Sequence, residues 1–103
     1  MPKFNVTLSH PLSQQDAIDR LSRFADTLRE KFQDKVSDLE QSWNGNVLNF
    51  GFKTYGIAIK GTITVTDKQV ALVGELPFTA MMFKGKIESE IREQLTRLLG
   101  PPE

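Results

Sequence analysis

From Trp43 to Pro77 the chain reads WNGNVLNFGFKTYGIAIKGTITVTDKQVALVGELP, and apolar and polar residues alternate through most of it. Alternation with period two puts one set of side chains on each face of a strand. Leu48, Phe50 and Phe52 share one face, with Asn49, Gly51 and Lys53 on the other. Ile57, Ile59, Ile63 and Val65 continue the apolar row opposite Ala58, Lys60, Thr62 and Thr64, and Val70, Leu72, Gly74 and Leu76 complete it. Leu39, Gln41 and Trp43 form an earlier inward row against Asp38, Glu40 and Ser42. Turn chemistry divides the rows at Asn44-Gly45, Tyr55-Gly56 and Asp67-Lys68, and Asn44-Gly45 suits a type I′ hairpin because both residues tolerate positive φ. The pattern predicts an antiparallel meander of four strands with one buried and one wet face. Gly61 interrupts the inner row, which marks a bulge, a bend or the close approach of another element.

Helical periodicity stands on both sides of the meander. Phe4, Val6 and Leu8 first make a short strand, and His10-Pro11 ends it because proline cannot donate to a ladder. Ser13 then opens a helix, with Asp16 as the acidic member of a capping box. Ile18, Leu21, Ala25, Leu28 and Phe32 form its apolar stripe, with Ala17 and Phe24 at the margins, and it fades near Gln33 to Lys35. After Leu76-Pro77, Thr79 is the expected cap of a last helix running to Leu99 and stopped by Gly100. Its predicted inner stripe is Ala80, Phe83, Ile87, Ile91, Gln94 and Leu98, widened by Leu95. The order β-α-β-β-β-β-α predicts an α+β fold. It should be a single antiparallel five-stranded sheet, order 2-3-4-5-1, with both helices on one face and the last lying across a curved sheet, helix-grip-like. Residues 1-103 are expected to form a single domain.

Composition narrows the function classes. Of 103 residues, 39% are hydrophobic and 25% charged, which is enough for one core. Thirteen basic residues balance thirteen acidic ones, so there is no net positive field for nucleic acid or an anionic membrane. The absence of cysteine removes disulfides and thiolate ligands, and one histidine leaves no credible zinc set, so neither metal nor cofactor is expected. No apolar span reaches the length of a membrane helix, and MPKFNVTLSH has no leader-like stretch, so the expectation is a cytoplasmic protein without integral membrane association.

Candidate chemistry is sparse. His10 is the one side chain that titrates near neutrality, and a turn position favours a structural role over a catalytic one. Asp38 and Glu40 share an outer strand face where water solvates both, so neither gains the raised pKa of a general acid. Glu75, near the end of the sheet, suits a rim ion pair. The glycines open no helix and form no phosphate loop. Lys53 and Lys60 with neighbouring threonines carry little nucleic-acid signal. Trp43, Phe50, Phe52, Ile59 and Phe83 could line an apolar pocket beneath the sheet, which Gly61 and Gly74 would enlarge by removing side-chain volume. Dense packing in so short a chain argues for a small or collapsed one. Phe78, Met81 and Met82, at the junction after Pro77, are candidate contact residues, since methionine adapts to varied surfaces. Met82 would share a helix face with the small residues Gly85 and Ser89.

The ordered set His10-Pro11-Leu12, Asp16-Ala17, Arg20-Leu21, Trp43-Asn44-Gly45, Leu48, Phe50, Gly61-Thr62-Ile63, Val65, Leu76-Pro77 and Leu98-Leu99 resembles the polyhydroxyalkanoic acid system protein family. These are small bacterial proteins associated with polyhydroxyalkanoate granule genes. The resemblance spans nearly the whole chain and implies a link to storage-polyester metabolism. It carries no catalytic motif onto these positions. The expected function is a non-enzymatic accessory protein acting through contacts with a polyhydroxyalkanoate granule or a granule-associated protein. A small apolar or acyl ligand binder is the alternative, and a hydrolase or isomerase using His10 comes third. A homodimer through the second strand or the outer face of the last helix is a further expectation.

Overall fold

The alternating rows become five strands of one antiparallel sheet. A computed structural model describes residues 3–31, 34–54 and 56–100. The elements are β1 (Lys3–Ser9), α1 (Gln14–Lys31), β2 (Val36–Asn44), β3 (Val47–Thr54), β4 (Ile57–Val65), β5 (Gln69–Glu75) and α2 (Lys84–Leu99). The spatial order β1-β5-β4-β3-β2 is the one expected from the chain's element order. Phe4, Val6, Ile59, Ile63, Val65, Val70 and Leu72 from the sheet pack in one cluster with Ala17 and Leu21 of α1 and Leu95 and Leu99 of α2. Both helices therefore cover the same face.

Ser13 caps α1: its Oγ accepts from the Asp16 N–H at 3.1 Å. Ser13→Ala is expected to cost about 1 kcal/mol, read as a lower midpoint in urea unfolding with an unchanged slope. Ala17, placed at the margin of the stripe by sequence, is fully buried, while Ile18 and Leu28 are half-buried. A small residue sits at closest approach because it lets the helix axis come near the sheet. Phe32 and Gln33, where the stripe and the helix were expected to end, lie outside the described residues.

The last helix departs further from expectation. Phe78–Phe83 form a separate 3-10 segment after Pro77, which has no side-chain capping bond, and Thr79 caps nothing. A 3-10 turn advances by three residues rather than 3.6, so it rotates everything that follows relative to a continuous α-helix. Gln94 consequently faces water and Phe83 is about half exposed, while Leu95 and Leu99 are buried with Ile87, Ile91 and Leu98 packed beside them. Gly100 ends α2 at φ +96°, its N–H reaching the Thr96 carbonyl at 2.9 Å.

Two sheet details also differ. Asn44 pairs with Val47, so the hairpin turn is Gly45-Asn46, and Gly45 alone is at positive φ (+62°). Glycine at the first central position is the II′ arrangement, displaced by one residue from the expected I′ turn. In β2 the register shifts between Ser37 and Glu40 around Asp38, which has φ +53°. This is a bulge, with an acidic residue tolerating the left-handed region.

The glycines of the inner row do not open space. Phe50 pairs with Gly61, Gly61 with Gly74, and Gly74 with Phe4, so a Phe-Gly-Gly-Phe row crosses four strands. The Phe4 ring occupies the place where a Gly74 side chain would stand, and the β5 backbone at Val73 closes that of Gly61. Close approach, rather than a widened pocket, is what these positions provide.

Candidate functional site

The helices do not cover the sheet evenly. α2 packs on β1 and α1, and α1 reaches β2 and β4. The α2 side chains even service the outer edge of β1: Glu88 Oε2 accepts from the Asn5 N–H at 3.2 Å, and Arg92 donates to the Thr7 carbonyl at 3.3 Å. Drawn to that side, α2 leaves the far end of the β3–β4 hairpin uncovered. A cleft of about 700 Å³ lies there, lined by Phe52, Thr54, Ile57, Ile59, Phe83, Lys86, Ile87, Glu90 and Ile91.

A second hollow of about 240 Å³ lies beneath α1, between Leu21, Phe24, Ala25 and Leu28 above and Val36, Leu39, Gln41, Leu48, Phe50 and Ile63 of the sheet. Its walls also include Phe52, Glu90 and Ile91, which line the first cleft as well. The two spaces thus share a wall formed by Phe52, Glu90 and Ile91. The expectation was a small or collapsed pocket; the hollow beneath α1 is small, at about 240 Å³, and the larger cleft lies open to solvent where α2 leaves the sheet uncovered.

The five residues proposed from sequence as pocket lining are distributed unevenly. Phe52, Ile59 and Phe83 line the outer cleft, Phe50 and Phe52 the inner hollow, and Phe50 stacks near Phe52 with ring centroids 6.2 Å apart. Trp43 packs against the core and lines neither space. Sequence reasoning missed Ile57, Lys86 and Glu90 at the cleft and Gln41 at the hollow. Gln41 did leave a signal, as the polar member of an otherwise apolar inward row. Its Oε1 and the Nε1 of Trp43 are buried without hydrogen-bond partners.

The 3-10 segment beside the cleft is the most exposed apolar stretch among the described residues. Phe78 is 74% exposed and Met82 82%, with Met81 and Phe83 each about half exposed. Met82 and Gly85 are both solvent-facing, and the space around Gly85 is open. The short segment concentrates large side chains outward because only Ala80 turns into the core.

His10 is 2% exposed, and backbone groups engage both ring nitrogens. Nδ1 accepts from the Leu12 N–H at 3.2 Å, which leaves Nε2–H to donate to the Thr66 carbonyl at 2.9 Å. Asp38 forms an open ion pair with Lys53 at 3.5 Å, and Glu40 is exposed nearby. No group of three or more potential metal-ligating side chains gathers among the described residues, and no helix there is long and apolar enough to cross a membrane.

The chain belongs to the family described as "Putative polyhydroxyalkanoic acid system protein", whose model matches residues 4–99. No curated protein and no solved structure matches it.

Proposed function

We propose that this member of the polyhydroxyalkanoic acid system family is a non-enzymatic accessory protein that adsorbs to the storage polyester through Phe78, Met81 and Met82. The observation that carries the reading is the outward clustering of these side chains on one short segment. Such a patch is costly in water and marks a contact surface. Polyester presents uncharged, branched aliphatic groups interspersed with ester carbonyls, and flexible thioether side chains adapt to such an irregular surface. The engagement of both His10 nitrogens by backbone supports a role without catalysis.

Met82→Glu and Phe78→Ser are expected to reduce co-sedimentation with protein-free polyhydroxybutyrate particles by about tenfold together, with stability within about 0.5 kcal/mol of the parent because both sites are exposed. Unchanged co-sedimentation would overturn the assignment. Binding to native granules but not to bare polymer would shift the contact to a granule protein.

The ligand-binding alternative has its own support in the 700 Å³ cleft, which falls within the range of small-molecule sites. The two readings are compatible in one protein, since Phe83 belongs both to the exposed segment and to the cleft wall.

A further inference from the structure

We propose that two copies of this chain join through β2, edge to edge and antiparallel about Ser42, into one continuous sheet. The interface goes beyond adsorption through Met82 and does not depend on it.

The sheet ends in β1 on one side and β2 on the other, and the two edges are finished differently. In an antiparallel ladder, alternate residues turn their N–H and C=O toward the same neighbour. On β1, Asn5 and Thr7 face outward, and α2 supplies partners: Glu88 accepts from the Asn5 N–H and Arg92 donates to the Thr7 carbonyl. On β2, the two-residue hairpin closes on Asn44 and Val47, a pair that exchanges main-chain bonds. Asn44 and Ser42 therefore address β3, and the N–H and C=O of Gln41 and Trp43 point to the open edge. Among the described residues no loop or side chain bonds them. The core is unfinished on the same side. Phe4, Val6 and Leu8 of β1 are buried, whereas Val36, Leu39 and Trp43 of β2 are only half-buried. An edge of this kind is a template for another strand.

Self-complementarity makes that strand a second copy and sets its register. The bulge at Asp38 (φ +53°) interrupts the start of β2 and leaves Glu40 to Asn44 as the regular stretch. Glu40 is the one charged residue in it, and like charges directly opposite destabilise a ladder. A two-fold axis at Ser42 places Glu40 opposite the partner's Asn44, so the carboxylate meets an amide that can donate to it. Gln41 then exchanges both main-chain bonds with the partner's Trp43, and the symmetry repeats the exchange on the other side of the axis. An axis at Glu40 would oppose two carboxylates, and one at Gln41 would draw the bulge into the ladder.

The test exploits a chain without cysteine. Glu40, Ser42 and Asn44 are exposed, so a thiol at any of them leaves the core untouched. Ser42→Cys should give a disulfide-linked dimer under mild oxidation. Glu40→Cys and Asn44→Cys should stay unlinked when alone and link when mixed. In sedimentation equilibrium the parent should associate with a Kd of roughly 10 µM, in keeping with a small interface. Ser42→Lys, which sets two cations face to face, should weaken association about fivefold. A parent that stays monomeric up to about 500 µM, Glu40→Cys linking alone as fast as Ser42→Cys, or a dimer that Ser42→Cys fails to link would each overturn the proposal. Met82→Glu should dimerise like the parent and Ser42→Lys should still adsorb to polyester, so the two readings fail separately.

Discussion

Gly74→Ala is expected to destabilise the fold by about 1–3 kcal/mol, and by less when Phe4 is also shortened. Gly74 stands opposite Phe4 in the β1–β5 ladder, and the added methyl would fall within the ring itself. Phe4 is fully buried, so the ring has no solvent to move into. It must leave its rotamer or push β1 away from β5. In a Phe4→Leu background the same change should cost at least about 0.5 kcal/mol less, since contacting residues couple by that much or more. Gly61→Ala behaves differently. Its methyl would meet the Val73 carbonyl and lie 2.8 Å from Gly74 Cα, which are backbone atoms that no rotamer change can relocate. Its cost should exceed about 3 kcal/mol, a large share of the 5–15 kcal/mol typical of a domain, and should be the same in either background. Urea unfolding of the six proteins reads both results. An equal penalty for Gly74→Ala with Phe4 and with Leu at position 4 would show that the ring is not what excludes a side chain.

This row of residues also shows what a sequence conveys and what it withholds. Strand identity, inward faces and strand order were legible because period two is set by local backbone geometry, and a strand preceding a helix has few places to pair. Gly61 was legible as an anomaly, but the direction of the approach was not. Glycine reports only that a side chain is excluded, while the excluding body, here the β5 backbone, belongs to another part of the chain. The departures at Thr79 and Gln94 have a similar origin. Residues 78–83 carry ordinary helix formers, and nothing local distinguishes a 3-10 turn from an α turn there. The tertiary requirement to bury Leu95 and Leu99 against the sheet selects the phase of α2. Phe52, Ile59 and Phe83 could be placed near one another from their faces, but the hollow could not be sized. Its volume depends on where α2 sits across the sheet, and its seat over β1 involves the long-range bonds from Glu88 and Arg92.

His10→Ala should cost about 2–4 kcal/mol, because two backbone groups lose their partner and the buried ring leaves a void. For a domain near 100 residues this corresponds to a fall in Tm of at least about 8 °C. The residue ties three parts of the chain together: its backbone N–H donates to the Lys68 carbonyl at 2.8 Å, a bond that alanine keeps, while ring Nε2 bonds the Thr66 carbonyl and ring Nδ1 accepts from the Leu12 N–H beyond Pro11. The end of β1, the β4–β5 turn and the approach to α1 meet on one side chain. Asparagine separates these contributions. Its carbonyl oxygen can accept from the N–H two residues on, as in an Asx turn, but it is too short to reach Thr66. His10→Asn should therefore fall between the parent and His10→Ala in thermal unfolding. Alanine and asparagine variants of equal stability would place the effect in the Thr66 contact and packing alone, and a Tm within about 2 °C of the parent for alanine would contradict the structural role. Polyester adsorption by folded His10→Asn should match the parent, since His10 lies in the core and Met82 at the surface. A folded asparagine variant that lost adsorption would instead give the imidazole a function beyond joining the three segments.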